Sequence, residues 1–369
     1  SLGCGLSQNL NQLLFFRVIQ GVGGALLMPV GRLALLKIIP RSQFLSAMSL
    51  MSLAGLIGPL MGPTLGGWLV EVATWHWIFL INLPMGVLGM IMTLKVMPNQ
   101  TEPTVKPFDF SGFILLMIAM VGLSLGIENI AAPQSSHLVS ISLLVIGTIA
   151  TIGYAYHAHS HQNALFHGRL FRYKIFSIGV LGNFFARLGS NAIPFILPLM
   201  LQVAFGFEPF FTGLMMIPLV LGSLFSKPII RPLIQRVGYR RFLLTNTVLV
   251  GLCIASFALM TATTPLWLKV LHLFIFGTLN SLQFVGMNTL TLKDLPQQDA
   301  SSGNSFLSMI MMLSMSIGVA LAGTLINVFG QHFSTASLTT AFHATLMTLG
   351  CINLVTALVF WQIPKEMAD

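Results

Sequence analysis

Eleven apolar runs, each about 20 residues or longer and nearly free of charge, constrain what this chain can fold into more than any other feature. They cover approximately 12 to 38, 44 to 70, 77 to 97, 110 to 130, 138 to 157, 177 to 204, 210 to 232, 241 to 262, 266 to 290, 303 to 328 and 341 to 363. A helix needs about 20 residues to cross a hydrocarbon core of roughly 30 Å, and only a helix or a closed barrel can pair every backbone group there. Each run therefore predicts a transmembrane helix, and the chain as a whole an all-α polytopic membrane protein. Charged residues are 7% of the sequence, against roughly 25% in soluble domains, which excludes a water-soluble reading.

The charges that remain report sidedness. With hairpins alternating sides, one side receives Lys37, Arg41, Lys95, Lys106, Arg169, Arg172, Lys174, Lys227, Arg231, Arg236, Arg240, Arg241, Lys293 and Lys365, and the other only Lys269. The positive-inside rule places the first set, and the C-terminus, in the cytoplasm. The net charge of +9 then belongs to membrane topology and not to a nucleic-acid surface. By the same alternation residues 1 to 11 lie outside, so an odd number of spans is expected ahead of Ser1 and the chain reads as an N-terminally truncated fragment. Cys4, Cys253 and Cys351 sit in apolar runs and read as small hydrophobes, with no metal-ligand spacing. No phosphate-cradling G-x-x-x-x-G-K-[ST] is present, so no nucleotide or other cofactor is expected.

The runs group as three (12 to 97), two (110 to 157) and six (177 to 363), which predicts a complete layout of six, two and six. The corresponding domains are a partial N-terminal bundle at 1–97, a linker with two extra helices at 98–175, and a six-helix bundle at 176–369. Transporters built from two repeated bundles hold substrate between them near mid-membrane.

Several polar or helix-breaking residues interrupt the runs. In LAGLIGPLMGPTLGGWL, Gly55, Gly58, Gly62 and Gly66 fall near one helix face, with Gly67 following and Pro59 and Pro63 freeing carbonyls. The pattern fits either a static packing face or a bent, close-packed helix at a gate. Arg17, with Gln20 one turn on, either snorkels outward or serves function. Arg187 lies mid-span with Asn183 and Asn191 one turn to either side and Gln202 further along, a stripe that either lines a cavity or bonds helices together. Pro194 and Pro198 predict a bend in that span. Asn280 and Gln283 can share a face, and Phe184, Phe185, Phe195 and Phe284 could supply apolar walls. His272 and His343 lie deep in spans, either as hydrogen-bonded packing groups or in proton coupling. All nine acids fall at boundaries or in loops. GLSLG around Ser124 lacks the strand-to-helix turn of a nucleophile elbow. His157, His159 and His161, with no acid or cysteine nearby in sequence, read as a solvated helix end.

GPLMGPTLGG resembles the antiporter motif of the major facilitator superfamily, and RVIQGVGGALLMP resembles the arginine motif of its preceding helix. KPIIRPLIQRVGYRR is similar to the family's basic cytoplasmic loop motif as it recurs in the second bundle, here carrying Arg231, Arg236, Gly238, Arg240 and Arg241. With fourteen implied spans, the chain resembles the drug:proton antiporters of the EmrB/QacA type, and the likeness extends through RLGSNAIPFILPLMLQ to MNTLTLKDLPQQDASSGNSFLSMIMMLSMSIGV. The resemblance implies a major facilitator fold of two bundles plus two central helices. It implies proton-coupled export of small amphipathic compounds across a bacterial inner membrane, with Arg17 in coupling and Gln20, Asn183, Arg187, Asn191, Gln202, Asn280 and Gln283 around substrate. Its partners would be small molecules, protons and lipid, with any accessory envelope protein unspecified. The family's first-span Asp has no counterpart in this stretch. The alternative is export of one organic anion or metal chelate; an intramembrane enzyme has no supporting constellation.

Overall fold

The computed structural model describes residues 1–38, 58, 61–62, 64–97, 108–131, 137–161, 163–332 and 338–364. The long helices are α1 (Leu10–Ile38), α2 (Asn82–Val96), α3 (Phe110–Ala131), α4 (His137–Ser160), α5 (Lys174–Ser190), α6 (Ile193–Leu199), α7 (Pro209–Val237), α8 (Tyr239–Ser256), α9 (Leu266–Lys293), α10 (Gln297–His332) and α11 (Leu338–Trp361). A further helical stretch covers 64–72, and no strand occurs among the described residues. Ten candidate spans among the described residues are long and apolar enough to cross a membrane, and each overlaps one of the apolar runs. The eleventh run, 44 to 70, lies mostly outside the described residues, as do Pro59, Pro63, Arg41, Lys106 and Lys365.

The helix of the fifth of these spans is interrupted around its prolines. α5 stops at Ser190, a turn covers Asn191 and Ala192, and α6 resumes with Pro194 in its first turn and Pro198 inside it. The next five residues, Met200–Ala204, wind as a π-helix. A proline removes an amide donor and collides with the preceding turn, so the bonding pattern shifts where the two rings fall.

Contacts divide the chain into two compact units. One holds Ser1–Thr104 with Phe207–Val220; the other holds Val105–Gly206 with Leu221–Asp369. In the second unit α5, α8, α9 and α11 close on a core that includes Ile178, Phe242, Leu243, Leu282, Met287 and Phe360. Around it Phe176, Val180 and Leu307 join α5 to α10, edged by Phe166 and Phe306. The hairpin of α3 and α4 also belongs here. Its helices meet where a Cβ on Gly122 would stand 2.9 Å from Gly147 Cα, a separation open only to two glycines. α3 reaches α10 through a Ser124–Ser316 hydroxyl contact.

Candidate functional site

In lipid an apolar helix gains nothing by hiding its apolar surface, so the polar groups decide which faces turn inward. α5 carries Asn183 and Arg187 four residues apart, and both are buried, at 0% and 5% exposure. Arg187 Nε donates to Asn183 Oδ1 at 3.2 Å; Asn183 Nδ2 donates to Gly179 O at 3.0 Å and to Thr291 Oγ1 of α9 at 3.2 Å. The guanidinium carbon stands 4.4 Å from the ring centre of Phe284, which is itself 42% exposed. Arg187 Nη2 is buried with no hydrogen-bond partner among the described residues, and so is Oδ1 of Asn353 on α11. Asn353 Nδ2 donates to Ala186 O at 3.0 Å, which holds α11 beside this stretch of α5. The result is a desolvated cation under an aromatic lid with a donor to spare. It can accept an anionic or aromatic group at low desolvation cost, because the expensive burial of the cation has already occurred in folding.

The remaining residues singled out in the sequence are not all gathered at Arg187. Asn191 is half-buried in the turn after α5, and Gln202 is exposed in the π-helical segment. Gln283 does not share an open face with Asn280. It is buried between α8 and α9, accepting from Asn246 Nδ2 at 2.7 Å and donating to Thr247 Oγ1 at 2.6 Å. The amide, bonded through both its oxygen and its nitrogen, ties two helices together. His272 lies flat on Phe257 at 3.9 Å and touches Ser256 Oγ and Cys253 O, while His343 meets Met260 O at 2.9 Å, so both histidines are packed and hydrogen-bonded. Lys269 is buried and donates to Ala262 O at 2.9 Å.

In the first unit, Arg17 is exposed and donates to Gln20 Oε1 at 2.8 Å, with Phe79 5.7 Å from its guanidinium. The glycines of the 64–72 region divide in role. Among the described residues a Cβ at Gly58, Gly62 or Gly66 would meet nothing within 4 Å, but one at Gly67 would stand 2.5 Å from Pro209 O. Among the described residues the close approach is made by Gly67, the last glycine of the motif. One turn on, Glu71 Oε1 accepts from the backbone N–H of Phe210 at 2.6 Å.

The sequence model of the Major Facilitator Superfamily matches residues 1–296 and, again, residues 179–368. This chain belongs to the Major Facilitator Superfamily. Two relatives, each named "Putative multidrug resistance protein MdtD", align with it over 371 positions that cover 99% of this chain and 78% of the relative. The one from Escherichia coli O6:H1 is 49% identical and the one from Escherichia fergusonii 48%. The chain is accordingly a multi-pass transporter of small molecules. In this superfamily member the basic loop motif closes α7 onto α8 through Gly238, whose φ of 77° suits glycine alone. Arg231, Arg236 and Arg241 are exposed there, and Arg240 donates to Trp361 O at 3.0 Å and stacks 5.3 Å from its ring. A cavity of about 410 Å³ opens beside the motif, between α7 and Val285 and Thr289 of α9.

At one end of the same unit lie two carboxylates, Asp109 and Asp299, whose partners come from distant parts of the sequence. Asp109 is buried, and its Oδ1 is 2.8 Å from His157 Nε2 and accepts from Gly112 N at 2.9 Å, while Oδ2 accepts from Leu165 N at 3.4 Å. Burial pushes the carboxyl up, but the Gly112 amide, His157 and the Leu165 amide together hold it below the ordinary aspartate value. Asp299, at the start of α10, is buried as well and takes Arg169 at 2.5 Å and the Tyr173 hydroxyl at 3.2 Å. The isolated reading of His157 is thereby corrected: the acid it lacks nearby in sequence arrives from 48 residues away. Thr291, Asn353 and Asn246 were also passed over. Asn353 is a single amide inside an apolar run, and that isolation is its signal; Asn246 lies among Thr245 and Thr247, and Thr291 just past the end of its run, where polar residues are common.

Proposed function

We propose that this transporter exports small amphipathic compounds across the bacterial inner membrane by alternating access, driven by proton entry. The observation that carries the reading is Arg187, a buried cation roofed by Phe284 and with Nη2 unpartnered. Such a pair offers an aromatic face to apolar substrates and a fixed donor to polar ones. The partial N-terminal bundle would occupy 1–97, the extra helices 98–175 and the C-terminal bundle 176–369, a division supported by the second family match beginning at residue 179. Arg17 with Gln20 would take part in proton coupling, the C-terminus would be cytoplasmic, and no catalytic chemistry is assigned. The relatives' name points to multidrug substrates.

A second reading, export of one organic anion or metal chelate, is favoured by the same Nη2, since a buried guanidinium invites a carboxylate. Efflux from cells expressing the full-length protein tests both. A panel of unrelated drugs losing efflux together in Arg187→Ala, at wild-type expression, supports the first reading. Rescue of a deletion strain by efflux of one anion alone supports the second. Unchanged efflux in Arg187→Ala overturns the role of Arg187 in either.

A further inference from the structure

Resting on the alternating-access reading, we propose that Glu71 is a proton-sensitive latch that holds the 64–72 helix against the first turn of α7 and must let go each time the transporter opens at that end. Two independent contacts meet there. Gly67 brings the 64–72 backbone so close to Pro209 that an added Cβ would fall 2.5 Å from its carbonyl oxygen and 2.8 Å from its carbonyl carbon. One helical turn along, the Glu71 carboxylate accepts the Phe210 amide at 2.6 Å. Phe210 N–H is one of the donors that a helix start leaves without an intrahelical acceptor, and Pro209 before it has no N–H at all, so Glu71 satisfies the first free donor of α7.

The charge on Glu71 is central to the latch. A carboxylate at a helix start gains from the amide and from the positive end of the helix dipole, and both gains shrink once it is protonated. Closure is thus strongest with Glu71 ionised, and a proton arriving on this side weakens it. By the positive-inside reading this end faces outward, where a proton-driven exporter takes up its proton. Two other titratable groups lie on the elements beside it: Glu208, immediately before α7, and His76, whose Nε2 is 3.0 Å from Ser7 O and whose Nδ1 is 3.3 Å from Thr74 Oγ1. Glu208 adds a like charge near the same helix start, so a proton on Glu208 would relieve repulsion and tighten the latch, the opposite sign to Glu71.

Thr212, one turn into α7 and 2% exposed, gives a local readout. In full-length protein in proteoliposomes, with Cys4, Cys253 and Cys351 changed to Ser, labelling of Thr212→Cys by an impermeant maleimide is divided at each pH by that of a Leu259→Cys control, a position 80% exposed, because only the thiolate reacts; this ratio should rise as external pH falls from about 7.5 to about 4.5. Glu71→Gln should raise labelling about fivefold at the upper pH and remove most of the pH dependence, and Glu71→Asp should restore it. Gly67→Ala should raise labelling while keeping the pH dependence. Should Thr212→Cys misfold, hydrogen exchange of the 208–213 amides in the Glu71→Gln protein takes its place, with faster exchange expected at the upper pH. Labelling or exchange unchanged in Glu71→Gln, or a pH dependence that survives it, overturns the proposal. Neither readout needs a transported compound, so a failure of the export reading appears separately, as absent efflux with an intact latch.

Discussion

The His157 side chain, on the last turns of α4, lies 2.8 Å from the buried Asp109 carboxylate just ahead of α3. Asp109 also takes the Leu165 amide, Leu165 O accepts from Ser302 of α10, and Tyr154 exchanges two hydrogen bonds with the Phe166 backbone. Residues 163–173 therefore strap the α3–α4 hairpin to α10 with polar bonds at one end, while Gly122 and Gly147 seat α3 on α4 along their length. α3 and α4 are part of the second unit for a local, chemical reason.

Asp109→Asn keeps the shape and removes the charge, leaving His157 and two amides facing a weaker acceptor. A loss of about 1–3 kcal/mol is expected, read as a lower midpoint of thermal or denaturant unfolding in detergent. The pH dependence has a definite sign. Because the folded carboxyl is held below its ordinary value, its stabilisation is complete above about pH 3.9 and fades as pH falls from there through the lowered native value. The Asn variant should lack that acid-side loss, and an identical acid profile in the two proteins would show that Asp109 is not the group responsible.

Arg187→Lys separates charge from geometry at the candidate substrate site. Lysine keeps the cation but loses the planar fork and its stacking on Phe284, so efflux should fall about tenfold or more while expression stays normal. Phe284→Ala should shift the substrate profile toward more polar compounds. Drug accumulation assays at matched expression measure both, and wild-type profiles in both variants would remove Arg187 and Phe284 from the substrate site.

The helices and their ends were readable in the sequence because lipid imposes one length and one composition on each span, and α3, α9 and α11 begin and end within a few residues of their apolar runs. Arg187 and Asn183 were readable for the same reason, since a polar group among so many apolar ones stands out. Partners were not. Asp109 with His157, Arg169 with Asp299 and Gln283 with Asn246 join residues between 37 and 130 positions apart, and spacing along one helix carries no information about them. Gly67 was named with its motif, but the four-residue spacing of Gly58, Gly62 and Gly66 carries no information about its contact, which is made with the carbonyl of Pro209 where α7 begins.

Gln283→Leu tests whether that amide is structural. Removing it leaves Asn246 and Thr247 short of a partner in the α8–α9 seam, at a cost of about 1–2 kcal/mol. Stability should drop and the pattern of exported compounds should stay as it is. An altered substrate pattern with unchanged stability would return Gln283 to the substrate site.

Gly122→Leu places an isobutyl group where the α3 and α4 backbones are closest. A Cβ alone would sit 2.9 Å from both Gly147 Cα and Leu143 O, and neither backbone atom can swing aside as a side-chain tip could. The helices must separate, which pulls on Ser124 where α3 meets Ser316 of α10 and on the strap at Asp109. Overpacking of this kind costs about 1–3 kcal/mol in well-packed interiors. Gly153, which faces Leu115 at an ordinary 3.6 Å, supplies the control on the same hairpin. Gly122→Leu should lower the unfolding midpoint and expose the 163–173 strap to limited proteolysis, whereas Gly153→Ala should do neither. Equal protease resistance in the Gly122→Leu protein and the parent would mean that the strap holds without the hairpin's close packing.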